Sequence, residues 1–280
     1  MTLTGLYVPL ITPFDTGGGV AFDALERLAR EVLDDGARGL VALGTTGEPG
    51  ALSPDEQRGV VEVVARVCRQ RQAPFVVAAG TASPPPGDAQ AVLTLVPPFV
   101  RPGEEGVVAY FSAYARSSPA PVIVYHVPYR TGQRLSAATL RRIAELDNVA
   151  GVKLAAGGID DETVALLADP PPGFAILGGD DAFLSPLLAL GAHGGIVASA
   201  HLQTTAFADL VRAWDDGDVA RARPLARRLA RLSLAMFAEP NPTVIKAVLH
   251  ARGRIPTPDV RLPLLPVHAR TLKVALESVT

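Results

Sequence analysis

The sequence predicts an α/β fold, a (β/α)8 TIM barrel with a C-terminal helical extension, and three observations support this prediction. The length of 280 residues suits one such barrel, which typically takes about 250 residues. Short apolar runs alternate along the chain with longer amphipathic segments, as βα units do. The apolar runs are continuous rather than interrupted at every second position, which is typical of parallel strands that helices cover.

Eight apolar runs are predicted as strands, and all but one are followed by a segment with helical periodicity. The strands are residues 6–12, 39–43, 75–79, 92–96, 122–125, 149–154, 175–177 and 195–198. The helices are residues 23–34, 53–71, 106–116, 136–146, 160–168, 181–190 and 204–216. Asp23 is expected to open the first helix. Ser53 and Glu56 predict a capping box for the second helix, with Pro54 in its first turn.

The third βα unit is too short for an ordinary helix. Only residues 80–91 separate the third and fourth strands, and they contain Pro84, Pro85 and Pro86 followed by Gly87. A parallel crossover usually takes a dozen or more residues, and proline disrupts a helix interior. We therefore expect the third helix to be missing or abbreviated. We also expect a proline-rich loop or a neighbouring subunit to cover the outer faces of these two strands.

The rest of the chain is predicted to be helical. Amphipathic periodicity places helices at residues 219–237, 242–252 and 268–279. The chain is therefore expected to divide into the barrel, residues 1–218, and a C-terminal helical region, residues 219–280, that packs on it.

Composition excludes several classes of partner and cofactor. The net charge of −2 favours neither nucleic acid nor an anionic membrane surface as a partner. No apolar run is long enough to span a bilayer, and the N-terminus does not resemble a signal peptide. The single cysteine, Cys68, can form neither an internal disulfide nor a metal cluster. We expect a cytoplasmic protein with no membrane contact and no metal site.

Lysine is rare, and one lysine stands where a barrel places its active site. Of the 26 basic residues, the lysines are Lys153, Lys246 and Lys273. Lys153 lies at the end of the sixth predicted strand, and barrel active sites lie at the carboxyl ends of the strands. A lysine amine in such an apolar mouth can attack a ketone and form a Schiff base. The alternative is a lysine that extends to solvent or pairs with a carboxylate.

Two other strand ends carry groups that suit a keto acid. Residues 44–48, GTTGE, follow the second strand and offer the hydroxyls of Thr45 and Thr46 with nearby backbone amides, which suits a small carboxylate. At the fifth strand, Tyr125 can transfer a proton, and Arg130 can bind a carboxylate in bidentate fashion. A turn of small residues, a packed tyrosine and a solvated arginine are the alternatives.

The last two strand ends give weaker signals. Gly179 follows the seventh strand and Ile196 lies in the eighth, so that a small side chain and a strand backbone could border a compact ligand. Asp181 could cap the next helix instead of taking part in a site.

Together these motifs resemble the dihydrodipicolinate synthase / N-acetylneuraminate lyase family, and the synthase branch most closely. The matching segments, in order, are PLITPF at 9–14, GTTGE at 44–48, YHVPYRTG at 125–132, GVK at 151–153, GGDD at 178–181, residues 191–196 and EPNPTVIK at 239–246. The resemblance implies that Lys153 forms a Schiff base with pyruvate. It also implies that Tyr125 relays protons while hydrogen-bonded to Thr45, and that Thr46 holds the pyruvate carboxylate.

The resemblance further implies a second substrate and an assembly. Arg130 would bind the carboxylate of an aldehyde, which is aspartate semialdehyde in the synthase branch, and the backbone of Ile196 would line the pocket. No metal or organic cofactor is implied. The family assembles as tetramers of tight dimers, so a homodimer or homotetramer is expected. The short 80–91 segment removes the region where lysine-sensitive synthases build their feedback site, so we expect no inhibition by lysine.

Three positions depart from the family pattern. Phe99 stands near the place of a tyrosine that enters the neighbouring subunit's site, and it has no hydroxyl. His126 and His201 each replace an asparagine. These departures leave two alternatives open. One is an aldolase of a 2-keto-3-deoxy sugar acid or an enzyme like N-acetylneuraminate lyase. The other is a degenerate paralogue that binds an α-keto acid without turnover.

Overall fold

Eight parallel strands form a closed barrel in the computed structural model, which describes residues 3–79 and 89–279. Each strand pairs with its sequence neighbours, and β1 pairs with β8. The strands are β1 Gly5–Pro9, β2 Gly39–Ala42, β3 Phe75–Ala78, β4 Ala91–Leu95, β5 Val122–His126, β6 Val149–Leu154, β7 Ala175–Gly178 and β8 Gly194–Ile196. The predicted barrel is confirmed, and the strand bounds differ from the prediction by a few residues.

Helices follow the strands and cover the barrel. They are α1 Phe22–Asp34, α2 Pro54–Arg71, α3 Gly103–Ser117, α4 Pro128–Thr131, α5 Ala137–Ala144, α6 Asp161–Ala168, α7 Leu184–Ala189, α8 Thr204–Asp215, α9 Val219–Met236, α10 Thr243–Ala251 and α11 Ala269–Ser278. The capping box of Ser53 and Glu56 is confirmed at α2. No helix in the described ranges has the length and apolar composition that a bilayer crossing requires.

The prediction that Asp23 opens the first helix is wrong. Helix α1 begins at Phe22, and no side chain caps it. Phe14 and Val20 form an antiparallel bridge just before the helix, and the backbone N–H of Ala21 donates to the carbonyl of Pro13 at 2.9 Å. This backbone pairing sets the helix start, so Asp23 lies within the first turn.

The third βα unit contains no helix among its described residues, Ala79, Ala89 and Gln90. The prediction of a missing or abbreviated third helix otherwise falls on residues 80–88, which lie outside the described residues. The outward-facing side chains of the flanking strands are nevertheless buried, since Phe75, Val77 and Val92 are at most 2% exposed. The outer faces of β3 and β4 are therefore not open to solvent.

The C-terminal helices contact the loops at the carboxyl end of the barrel. Every residue of α10 from Thr243 to Leu249 is buried, as expected for a helix surrounded by protein. The segment after α10 returns to the loops that follow β1 and β2, where Thr257 donates to the carbonyl oxygen of Phe14 at 2.9 Å. These contacts bring the C-terminal helices next to the barrel mouth.

Candidate active site

Lys153 and Tyr125 lie together inside the carboxyl end of the barrel. They are neighbours in register on β6 and β5, so both side chains point to the same side of the sheet. The Nζ atom of Lys153 lies 4.3 Å from the centroid of the Tyr125 ring. Lys153 is 7% exposed and Tyr125 is 8% exposed. The amine is thus shielded from bulk water and next to a phenol that can exchange a proton with a bound ligand.

Gly179 provides the space that the Lys153 side chain occupies. A Cβ atom at position 179 would lie 2.9 Å from Cγ and Cε of Lys153 and 2.9 Å from the carbonyl oxygen of Leu154. Because one of these contacts is with backbone, a larger residue could not be accommodated by moving the lysine alone. The glycine therefore forms the wall of the site beside the amine.

Thr45 and Thr46 form a short 3-10 turn directly after β2. Thr46 is 4% exposed, and its Oγ1 accepts a hydrogen bond of 3.0 Å from Nδ2 of Asn241. The resemblance implies a hydrogen bond between Tyr125 and Thr45, but the hydrogen bonds of the described residues include none between these two side chains. Both side chains line one cavity of about 1210 Å³ at the barrel mouth.

Arg130 lies at the rim of the same cavity, in α4. Its side chain is exposed, and its guanidinium carbon lies 5.7 Å from the centroid of the Tyr129 ring. Within the described part of the chain, Arg130 forms no salt bridge. It can therefore bind an incoming carboxylate without first breaking an ion pair with a described residue.

The seven residues predicted for the site fall into two layers. Thr45, Tyr125 and Arg130 line the large cavity. The others lie in the wall or floor, where Ile196 is 1% exposed and packs in the barrel interior with Tyr125 and Leu177. Tyr125 belongs to both layers, because it lines the cavity and its ring also contacts the Lys153 amine. The outer cavity thus leaves room for a reactant beside Tyr125.

Two further carboxyl groups, those of Asp180 and Asp181, border the site. Asp181 does not cap α7, the alternative considered for it, because Phe183 precedes α7 as its cap residue. Instead the Asp181 carboxylate accepts a hydrogen bond of 2.5 Å from the backbone N–H of Ser199, which ties the loop after β7 to the loop after β8. Asp180 accepts one of 2.7 Å from the backbone N–H of Gly157.

Burial changes the acidity of both carboxyl groups. It raises the pKa of Asp181 to about 6, against the opposing effects of the Ser199 hydrogen bonds and the Lys153 ammonium. Burial also raises the pKa of Asp180, and again Lys153 acts in the opposite direction. A pair of adjacent acids at a strand end was the available sequence signal, but it is equally typical of a helix cap.

The residues that depart from the family pattern have three different environments. Phe99 is 89% exposed and has a positive φ of 69°. His126 is buried, and burial lowers its pKa to about 4. Burial likewise lowers the pKa of His201 to about 4. The neutral His201 ring donates to the carbonyl of Ala198 at 2.8 Å and accepts from the N–H of Ile11 at 3.2 Å, so it joins the ends of β1 and β8.

The described residues contain no group of three or more His, Cys, Asp or Glu side chains that could hold a metal ion. The geometry instead brings together a shielded amine, a phenol, two hydroxyls and an exposed guanidinium.

Comparison with known proteins agrees with the resemblance seen in the sequence. The family model described as "Dihydrodipicolinate synthetase family" matches residues 2–278. A 4-hydroxy-tetrahydrodipicolinate synthase of Neisseria gonorrhoeae is 37% identical over 277 residues, which cover 95% of this chain and 94% of that protein.

Two solved structures have the same architecture. The 4-hydroxy-tetrahydrodipicolinate synthase of Methylacidiphilum fumariolicum SolV superposes with a TM-score of 0.91 at 30% identity, covering 99% of this chain and 95% of that one. The dihydrodipicolinate synthase of Acinetobacter baumannii complexed with pyruvate gives a TM-score of 0.90 at 31% identity, covering 99% of each chain. The protein whose site is described above is therefore a member of the dihydrodipicolinate synthetase family.

Proposed function

We propose that this protein condenses pyruvate with aspartate semialdehyde through a Schiff base on Lys153, the 4-hydroxy-tetrahydrodipicolinate synthase reaction. The observation that carries the proposal is the shielded Lys153 amine, 4.3 Å from the Tyr125 ring centroid. A neutral lysine amine adds to a ketone more readily where water is excluded. The names of the relatives, and the pyruvate complex of the Acinetobacter baumannii enzyme, support the same substrate.

In the first half of the proposed reaction, Lys153 adds to the ketone carbon of pyruvate and water leaves, which gives a protonated imine. The imine makes the adjacent methyl group acidic, and loss of a proton gives an enamine. Tyr125 is the proton-transfer group in this proposal, because its ring is in contact with the lysine. Thr46 and the neighbouring amides would bind the pyruvate carboxylate, while Gly179 and Ile196 shape the pocket around the methyl group.

In the second half, the enamine carbon attacks the aldehyde and forms the new carbon–carbon bond. The amino group of the bound aldehyde substrate then attacks the imine carbon, which closes the ring and releases Lys153 as a free amine. Thr45 would pass protons between Tyr125 and the large cavity, since both line it. Arg130 would bind the aldehyde's carboxylate at the rim. This chemistry uses protein side chains and substrates, with neither metal nor organic cofactor.

We also propose the assembly and location that the sequence suggests. Phe99 and Val100 are 89% and 74% exposed, and adjacent exposed apolar side chains favour a contact between subunits. The proposed unit is a homodimer or homotetramer in the cytoplasm that serves lysine biosynthesis. It has no nucleic acid or membrane partner. In each chain, the barrel of residues 1–218 carries the helical region of residues 219–280. Analytical ultracentrifugation of the wild type and of Phe99→Ser would test the subunit contact.

The side chain of Phe99 favours a second candidate function. Phe99 has no hydroxyl, so a proton relay that needs a tyrosine at this place would be incomplete. An aldolase that joins pyruvate to a sugar aldehyde and so forms a 2-keto-3-deoxy sugar acid, or an N-acetylneuraminate lyase-like enzyme, is the alternative activity. A degenerate paralogue that binds a keto acid without turnover is the alternative of another class. Comparing aldehydes as partners of pyruvate, at equal concentration, distinguishes the three.

Borohydride trapping tests the main proposal directly. The protein is incubated with pyruvate and sodium borohydride, and the adduct is located by intact mass and peptide mapping, with Lys153→Ala as the control. The expected result is one reduced pyruvate adduct on Lys153 in the wild type and none in the variant. A folded wild-type protein that gives no adduct would contradict the proposed mechanism.

A further inference from the structure

Lys246 is a completely buried cation that does not face the proposed reaction centre. Its Nζ donates a hydrogen bond of 2.8 Å to Oε1 of Glu48, and the two side chains are 0% and 3% exposed. Apolar residues of similar volume often stabilise a protein as well as a buried ion pair does. Lysine is rare in this chain, so stability alone does not explain why a lysine occupies this buried position.

The partner of Lys246 is the last residue of the GTTGE segment. Glu48 has φ 54° and ψ 42°, a left-handed conformation that is uncommon for residues other than glycine. Its second carboxylate oxygen accepts a hydrogen bond of 2.9 Å from the backbone N–H of Arg261. The side chain is thus anchored at both oxygens, directly after the Thr45–Gly47 turn. Anchoring Glu48 therefore fixes where this turn ends.

Arg261 also forms hydrogen bonds with the neighbouring loops. Its guanidinium donates to both oxygens of Glu56 at 2.6 and 2.8 Å, to the carbonyl of Ala51 at 2.8 Å and to the carbonyl of Gly18 at 2.7 Å. Both cations lie close to the Phe14 ring, with Nζ of Lys246 3.9 Å and the guanidinium carbon of Arg261 4.3 Å from its centroid. The pair is therefore buried within a cluster of hydrogen-bonded side chains.

The same C-terminal segment also holds the middle of the turn. Asn241, which precedes α10, donates to Oγ1 of Thr46 at 3.0 Å. Because the threonine oxygen accepts this bond, its own hydrogen remains available to donate to a ligand. Asn241 and Lys246 thus contact Thr46 and Glu48 from outside the barrel, two residues apart along the turn.

We propose that Lys246, acting through Glu48, is a positioning residue that fixes the Thr45–Gly47 turn so that Thr46 can bind the carboxylate of pyruvate. The inference rests on the proposed function, because that function supplies the ligand of Thr46. Lys246 itself does not line the cavity at the barrel mouth. Disturbing the pair should therefore weaken the capture of pyruvate while leaving the reactivity of the amine in place.

The test uses a double variant, Glu48→Gln with Lys246→Met, which removes both buried charges and keeps an oxygen for the Arg261 N–H. The matched control is Lys273→Met, which removes an exposed lysine. The rate of borohydride-trapped adduct formation on Lys153 is measured against pyruvate concentration, with circular dichroism to verify folding. We expect the half-saturating pyruvate concentration of the double variant to rise about tenfold, and its maximal trapping rate to change less than about threefold.

Each outcome decides the question. A folded double variant whose half-saturating concentration matches that of wild type and Lys273→Met would overturn the inference while leaving the proposed function intact. If the double variant does not fold, Glu48→Gln alone is measured, and a change of less than about twofold would overturn the inference. A wild type that traps no pyruvate would refute the proposed function, and the inference would fall with it.

Discussion

Gly179 lies against the side chain of Lys153 so closely that a Cβ atom at position 179 would be 2.9 Å from Cε of the lysine. That contact is shorter than carbon atoms tolerate, and the carbonyl of Leu154 at 2.9 Å blocks the other direction. The amine can keep its present place only if residue 179 has no side chain. The glycine thus sets the position of the proposed nucleophile.

We therefore expect Gly179→Ala to displace Lys153 and to lower the rate of borohydride-trapped pyruvate adduct by at least about tenfold, because small displacements of a nucleophile have large effects on rate. The overpacking should also destabilise the fold by about 1–3 kcal/mol. Gly158→Ala is the matched control, since a Cβ there meets no atom within 4 Å. Normal trapping by a folded Gly179→Ala variant would show that the contact does not set the lysine's position.

Arg130 should affect the binding of aspartate semialdehyde and not the binding of pyruvate. Its guanidinium is at the rim and without a salt bridge to any described residue, whereas Lys153 lies deeper. Arg130→Lys should raise the KM for aspartate semialdehyde about tenfold, because a lysine cannot provide the bidentate fork. The half-saturating pyruvate concentration for trapping should stay unchanged.

Arg58→Ala is the control for that measurement, because Arg58 lines the same cavity but pairs with Asp55. Equal effects of Arg130→Lys on the two substrates would argue against a separate site for the aldehyde at the rim.

Lysine should not inhibit this enzyme. The expectation comes from the family resemblance, which implies that the short segment of residues 80–91 removes the region where lysine-sensitive synthases build their feedback site. Initial rates of condensation, measured by coupling product formation to the next reductase, should be unchanged by lysine at millimolar concentrations. A saturable loss of rate with added lysine would contradict this expectation.

Much of the fold and most of the site were predictable from the sequence, for one physical reason. Parallel strands buried on both faces are continuous apolar runs, so their ends can be read from the sequence, and the barrel brings those ends together. That is why Lys153 and Tyr125 could be predicted as neighbours. Gly179 could be predicted to border a compact ligand for the same reason, whereas its contact with Lys153 could not.

The remaining features depend on distances that no local pattern encodes. Glu48 and Lys246 are 198 positions apart, and a buried ion pair leaves no periodic signal in either segment. The role of Asp181 depends on how close the loops after β7 and β8 come. The start of α1 depends on a backbone pairing with Pro13, which overrides the preference of Asp23 for a cap position.

Asp181 should make the fold less stable as the pH rises. Its folded-state pKa of about 6 lies above the usual value of 3.8, so the unfolded chain loses the proton first. The free energy of unfolding therefore falls between about pH 4 and pH 6, and the penalty for a buried carboxylate is fully present above pH 6. At most, this penalty is about 3 kcal/mol.

Asp181→Asn removes this titration while its oxygen can still accept from Ser199. The unfolding free energy of the variant minus that of wild type should therefore be larger at pH 8 than at pH 4. Urea unfolding at both pH values measures this difference. Asp169→Asn, at an exposed position, is the control and should show no such gain. Parallel behaviour of Asp181→Asn and wild type at the two pH values would argue against burial of a charged carboxylate.

His126 and His201 should make the fold sensitive to acid. Burial lowers both folded-state pKa values to about 4, from 6.5, so the unfolded chain binds protons first as the pH falls. Each histidine contributes stability that is fully present above about pH 6.5 and is lost as the pH falls toward 4. At pH 5 the loss for each is about 2 kcal/mol. Protonated His201 could not accept the hydrogen bond from Ile11, and losing this bond would add to the effect of burial.

The double variant His126→Asn with His201→Asn should therefore lose less stability than wild type between pH 7 and pH 5, although it is expected to be less stable than wild type at pH 7. Urea unfolding at the two pH values measures this difference. His268→Asn, which changes an exposed histidine, should behave as wild type. If the double variant and wild type lost equal stability, other groups would have to cause the acid sensitivity, and the buried histidines would be charged in the folded protein.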